Sequence, residues 1–190
     1  MTFKDTLNIR VRPASSTTSG QSHLAILTFN GKEYKCAVGR NGIGHKQSEG
    51  DGITPIGEFP LRMCFYRSDR IKSETLTNIK GLALVELKLN YGWCDDMFDQ
   101  LHYNRLIQYP TMDGLSFEKL WRVDELYDLF AVIGFNDNPI RLGRGSAIFF
   151  HIASENYGPT SGCVALKRED LIEVLSQLTP FTIMKIDLNG

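Results

Sequence analysis

Two side chains able to do covalent chemistry lie close together in this 190-residue chain. His151 closes the run Gly143-Arg144-Gly145-Ser146-Ala147-Ile148-Phe149-Phe150-His151. Cys163 sits in Thr160-Ser161-Gly162-Cys163-Val164-Ala165-Leu166. A thiol beside an imidazole base is an activated nucleophile toward an amide carbonyl. Ser146 to Ile152 is apolar and rich in aromatic and branched residues, which predicts a buried strand. Strand alternation puts Ala147, Phe149 and His151 on one face and Ile148, Phe150 and Ile152 on the other. The chain turns at Gly158-Pro159 and reaches the cysteine directly after a glycine, so a loop that folds back brings thiol and base together.

Taken singly, each residue has a plainer explanation. A lone cysteine behaves as a small buried hydrophobe and a lone histidine is often structural. The pair is more telling, because Gly162 precedes the thiol and the intervening loop is rich in Gly, Pro, Ser and Thr. A glycine allows a compact turn that aims backbone N–H groups, here those of Gly162 and Cys163, at an oxyanion beside the sulfur.

His151, Thr160-Ser161-Gly162-Cys163 and the upstream Asp51-Gly52-Ile53-Thr54-Pro55-Ile56-Gly57 resemble the YkuD-type L,D-transpeptidase catalytic domain, from about Leu24 to the C-terminus. The resemblance is closest to the branch with a Gly-Ser-Ala-Ile-Phe strand before the histidine and Val-Ala-Leu after the cysteine. Two positions depart from the commoner pattern. Ile152 follows the histidine where many members have Gly, and Ala165 stands where many have Arg. Substrate contacts are therefore not carried over at Ala165, whereas the Cys and His roles are. The resemblance implies a mainly β domain, a twisted β-sandwich with a few short helices, and the length of 190 residues suits one domain over 1–190, with 1–22 its N-terminal strand and loop. Strand-rich patterning agrees with that, although it does not separate a sandwich from an open barrel.

Composition narrows the function classes. Apolar residues make up 42% and charged residues 23%, as in an ordinary globular protein, and the length suffices for a sizeable core. A formal net charge of −1 argues against a dedicated nucleic-acid binder. Cys36, Cys64, Cys94 and Cys163 are widely spread, which favours free thiols over a disulfide framework. Cys94 with His102 is only a faint zinc candidate on spacing. No stretch approaches the roughly 20 apolar residues of a membrane span. No signal-peptide-like run follows Met1 to Asp5, so the sequence suggests a cytoplasmic location, whereas the resemblance implies the periplasm or cell envelope.

Other elements follow from local pattern. Leu7 to Val11 alternates as a half-exposed strand, and Pro13 to Gln21 reads as a loop. Asn30-Gly31 between two apolar runs (His23 to Phe29, Lys32 to Val38) predicts a type I′ hairpin. Gly39 to Gly52 carries five glycines and predicts a mobile loop, either plain surface or a rim over the active site. His45 within it is expected to be exposed. Residues 67–80 read as a loop or edge. Tyr91-Gly92-Trp93-Cys94-Asp95-Asp96 and Tyr103-Asn104 read as a loop pinned by aromatics, its aspartates either solvated or lining a groove. Strands are expected at Glu58 to Leu61, Gly81 to Leu89, Leu129 to Phe135 and Phe181 to Leu188. Short helical turns are expected over Ser116 to Asp128. Lys167 to Leu178 places Leu171, Val174, Leu175 and Leu178 at helical spacing.

The resemblance implies a substrate: a peptidoglycan stem tetrapeptide cut before its terminal D-Ala, through a Cys163 thioester. An amine acceptor then gives transfer and water gives hydrolysis, with no metal or organic cofactor needed. Substrate-binding candidates are Thr160, Ser161, Arg144, Asp51 and Asn136, with Arg40 an alternative to Asp51. The group orienting His151 stays open between a backbone carbonyl, Asn136 and Asn156. Three functions compete: an L,D-transpeptidase, a muropeptide hydrolase on the same scaffold (L,D-carboxypeptidase or amidase), and a catalytically silent peptidoglycan-binding domain. A carbapenem adduct at Cys163 separates the third from the other two.

Overall fold

The computed structural model describes residues 8–14, 21–109 and 114–189. Leu7 of the first expected strand, most of the Pro13 to Gln21 loop, and the Met1 to Asp5 segment lie outside these residues. The strands, in chain order, begin with β1 (Ile9–Pro13), β2 (Leu24–Phe29), β3 (Lys32–Ala37), β4 (Ile43–Gly44), β5 (Thr54–Pro55) and β6 (Gly57–Tyr66). After helix α1 (Ser73–Asn78) come β7 (Ala83–Glu86), β8 (Tyr91–Cys94), β9 (Leu106–Gln108), β10 (Phe117–Lys119) and β11 (Leu129–Ile133). The chain then forms β12 (Phe149–Ile152), β13 (Val164–Leu166), α2 (Arg168–Ser176) and β14 (Ile183–Ile186). Among the described residues the architecture is mainly β with two short helices, a sandwich-like arrangement.

Nine strands form one mixed sheet in the order β11-β12-β13-β3-β2-β1-β14-β6-β7. The long β6 also pairs with β11, so the sheet curls until its ends meet. Apolar faces turned inward, including Leu27, Phe150, Ile152, Val164 and Leu166, build the main core, and Leu171, Val174 and Leu175 of α2 pack onto it. On the opposite face of β11 and β12, Phe130 and Phe149 meet Trp93 and Tyr127 in a second, aromatic cluster that includes Cys163. The sheet β10-β8-β9 supplies part of this cluster.

The Asn30-Gly31 hairpin forms with both residues at positive φ (49° and 76°), as a type I′ turn requires. Three expectations are corrected. Residues 73–78 form a short helix inside the stretch read as a loop or edge. Phe117–Lys119, read as helical, pairs instead with β8, and Phe117 stacks on Tyr109. That cross-strand partner, distant in sequence, overrides the local pattern. The strand before His151 begins at Phe149 rather than Ser146, because Gly145 and Ala147 adopt positive φ (108° and 51°) and bend the chain.

Candidate active site

Strand β12 runs parallel to β13, with Phe150 opposite Val164, His151 opposite Ala165 and Ile152 opposite Leu166. Residues opposite each other share a face, so Cys163, level with Phe149, stands on the same face as His151 one two-residue step away. The partition between the two clusters agrees. Ile148, Phe150 and Ile152 lie in the main core with Val164 and Leu166, while Phe149 and Cys163 lie in the aromatic cluster. His151 and Cys163 both line one cavity of about 590 Å³, and each is only 5% exposed.

Two backbone groups hold the sulfur. The Phe149 N–H donates to Cys163 Sγ at 3.3 Å, and the thiol donates to the Ala147 carbonyl, also at 3.3 Å. His151 Nδ1 is 2.8 Å from the Ile152 carbonyl oxygen. A carbonyl only accepts, so Nδ1 carries the proton and Nε2 is left as the basic nitrogen. Among the orienting groups left open by the sequence, the backbone carbonyl fills the role. Asn156 is exposed, and Asn136 donates to the Arg141 and Gly145 carbonyls. The Tyr127 ring stands edge-on to the imidazole at 5.3 Å.

Burial decides the protonation states at rest. It lowers the His151 pKa to about 4, and the positive Arg122 works in the same direction. Burial pushes the Cys163 thiol up to about 12, with the Glu118 carboxylate adding to the rise and the Phe149 N–H and Lys46 opposing it. The resting pair is therefore a neutral thiol beside a neutral imidazole.

The turn before Cys163 is fastened by two threonines. Thr160 Oγ1 accepts from the Gly162 N–H at 3.1 Å and donates to the Cys163 carbonyl at 2.8 Å. Thr54 Oγ1 donates to the Gly162 carbonyl at 2.9 Å and accepts the Gly39 N–H at 2.8 Å. Gly162 has φ +139°, and a Cβ there would lie 2.9 Å from the Ile53 carbonyl oxygen, so no side chain fits. Thr160 and Ser161 both line the cavity.

The remaining sequence candidates sit differently. Asp51 turns both oxygens inward to Lys46 and to the N–H groups of Gln47, Ser48 and Ile53. Although burial opposes ionisation, these bonds lower its pKa to about 2. Arg40 donates to the Gly50 carbonyl, and the exposed Arg144 donates to the Gln47 carbonyl. Together these bonds tie residues 39–52 into a shaped wall where the glycine count had predicted mobility. The glycines serve positive φ at 42, 50 and 52, and at Gly39 a close approach, 2.2 Å from a Cβ position to the Gly52 oxygen. Lys46, Glu49 and Gly50 face the cavity, and His45 is exposed.

Several cavity residues escaped the sequence. Glu118, Arg122 and Tyr127 line it beside His151, with Tyr127 donating to Glu118 at 2.6 Å. They fall in the stretch read as helical turns, where nothing local marks them as neighbours of the thiol. Asp95, expected from the sequence either to be solvated or to line a groove, lines the cavity, and its Oδ1 is buried with no hydrogen-bond partner among the described residues. Asn104 Oδ1 accepts from Trp93 Nε1 and the Ala147 N–H, and its Nδ2 donates to the Phe135 and Asn136 carbonyls. The sequence did mark this Tyr-Asn pair as part of a pinned loop.

All four cysteines are free and buried. His102 pairs with Asp99, Nδ1 to Oδ2 at 2.7 Å, and among the described residues no His, Cys, Asp and Glu cluster is able to hold a metal ion. Among the same residues, no helix is long and apolar enough to cross a membrane.

Compared with known proteins, residues 19–186 match the family model described as YkuD, L,D-transpeptidase catalytic domain. No curated protein and no solved structure matches the chain.

Proposed function

Since the chain belongs to the YkuD family of L,D-transpeptidase catalytic domains, which act on peptidoglycan, we propose that it is a cysteine-dependent acyltransferase on stem tetrapeptides. The observation that carries this is the placement of Cys163 and His151 on one face of adjacent strands, both lining one cavity, with Nδ1 of the imidazole bound to a carbonyl.

The chemistry starts from the neutral pair. As Sγ approaches the carbonyl carbon of the third stem residue, the thiol proton leaves the Ala147 carbonyl for His151 Nε2. The carbonyl π electrons move to oxygen, giving a tetrahedral oxyanion received by the Cys163 N–H. The Gly162 N–H joins it only by releasing Thr160 Oγ1. When the oxyanion collapses, the C–N bond to D-Ala breaks and the imidazolium proton passes to the departing amine. A thioester on Cys163 remains. An acceptor amine then attacks it, loses its proton to His151, and expels the sulfur, which takes that proton from the imidazolium and becomes the thiol again. Thr160 and Ser161 contact the donor peptide from the cavity wall.

The test uses a purified disaccharide-tetrapeptide with and without an added D-amino acid. Transfer predicts loss of the terminal D-Ala and an exchanged product that grows with the amine. Release of tripeptide alone, unaffected by amine, makes the protein an L,D-carboxypeptidase instead.

A further inference from the structure

Lys46 has no place in the mechanism above, yet its ammonium lies close to the turn before Cys163. Its side chain is 2% exposed. It lines the same cavity as Cys163, and Nζ lies 3.6 Å from where a Cβ on Gly162 would stand. Its stem passes over Gly145, where a Cβ would meet Cε at 2.2 Å and Cδ at 2.8 Å. Any larger residue at 145 would displace the lysine.

The ammonium is incompletely satisfied. One bond goes to Asp51 Oδ1 at 2.6 Å, and Lys46 Nζ has no other hydrogen-bond partner among the described residues. An ammonium has three N–H donors, so two face a cavity wall without an acceptor. Burying such a group is unfavourable unless an anion or acceptor completes it. Asp51 is saturated by three backbone N–H groups besides the lysine, so its charge is turned away into the loop. Of the other titratable groups lining the cavity, Arg122 is bonded to both oxygens of Asp124, Glu49 and Asp95 are acidic, and the rest do not stabilise an anion at the thiol. Glu118 opposes one, Tyr127 donates to Glu118, and His151 is neutral at rest.

Resting on the acyl-transfer chemistry above, we propose that Lys46, anchored by Asp51, supplies the positive charge that stabilises the anion formed at Cys163, first the thiolate and then the oxyanion. It complements the Cys163 N–H at a site where the neighbouring Gly162 N–H is engaged by Thr160. Gly145 and Gly162 are then the two positions whose lack of a side chain lets the ammonium reach the turn.

The experiment compares wild type with Lys46→Met, which keeps the length and removes the charge. Iodoacetamide labelling of the Cys163 peptide is followed by mass spectrometry against pH, alongside kcat and KM on the disaccharide-tetrapeptide. Lys46→Met is expected to move the labelling midpoint to higher pH and to lower kcat by about 10²-fold or more, the usual loss for one oxyanion donor, with KM little changed. Lys46→Arg is expected to recover part of both. If Lys46→Met fails to fold, Lys46→Gln keeps a hydrogen bond to Asp51 without the charge, and the same readouts apply. A reactive wild-type Cys163 whose labelling profile and kcat are unchanged in the neutral variants overturns the role of Lys46 and leaves the acyl-transfer chemistry intact. A shifted labelling profile in a protein that turns over no tetrapeptide keeps Lys46 and removes the substrate. A wild-type Cys163 that never labels removes both.

Discussion

Cys163 Sγ lies 3.3 Å from the carbonyl oxygen of Ala147, a residue held at φ +51°. An L-residue in that region is strained by about 1–3 kcal/mol, so the surroundings must impose it. Asn104 does so by accepting the Ala147 N–H, while Tyr103 accepts the Gly145 N–H two residues earlier. The carbonyl thus parks the thiol proton away from the imidazole. Burial raises the thiol and lowers the imidazole, so both are neutral at rest.

Asn104→Ala removes the acceptor for the Trp93 and Ala147 N–H groups and the donor to two carbonyls. Orphaned buried groups typically cost about 1–3 kcal/mol each, part of which relaxation and water recover. We expect a stability loss of about 2–3 kcal/mol and a kcat at least about tenfold lower, since the Ala147 carbonyl loses its placement. Denaturant melts and steady-state kinetics check this. A destabilised variant with full kcat would separate Asn104 from the nucleophile.

His151→Ala is expected to lower kcat on the order of 10² or more, the usual range for general-base assistance. Cys163 alkylation at neutral pH should slow as well. Equal alkylation rates in wild type and variant would mean that the imidazole does not assist the thiol.

The sheet face carrying this pair was legible in the sequence, because two-residue alternation alone assigned Phe149 and His151 to one side and Phe150 and Ile152 to the other. The Asn30-Gly31 turn and the apolar spacing of α2 were readable for the same reason: the signal is local. Glu118 and Tyr127 were not, since their neighbourhood to the thiol depends on β10 pairing with β8 and on packing against β11 and β12. Lys46 was hidden differently. A lysine in a glycine-rich loop gives no sign of burial, and only the folded Asp51 turn reveals it. The glycines of that loop misled because composition does not distinguish freedom from a need for positive φ.

The buried His151 also predicts acid sensitivity. Its pKa is about 4 folded against an ordinary value of 6.5, so the unfolded chain binds the extra proton between those values. The stability associated with neutral His151 is complete above about pH 6.5 and falls as pH drops toward about 4, by roughly 3 kcal/mol. From about pH 7 to about pH 4.5, wild type should lose about 2 kcal/mol more unfolding free energy than His151→Gln. Parallel losses in the two proteins would place the acid response in carboxylates alone.

Cys36 and Cys64 are fully buried in the main core, neither lines the cavity, and burial raises both thiols. Alanine at either is expected to lower stability by about 1 kcal/mol through the small void it leaves, with kcat retained. A kcat loss comparable to that of Cys163→Ala would contradict the assignment of the nucleophile.

Acyl transfer through Cys163 leaves a directly observable intermediate on that residue. Wild type and Cys163→Ala are mixed with disaccharide-tetrapeptide, quenched in acid, and their intact and peptide masses measured. A disaccharide-tripeptide thioester is expected on the Cys163 peptide of wild type, with one D-Ala released per adduct, and neither product in the folded variant. Stem-peptide turnover by Cys163→Ala, or turnover by wild type with the adduct on another residue, would contradict acyl transfer through Cys163.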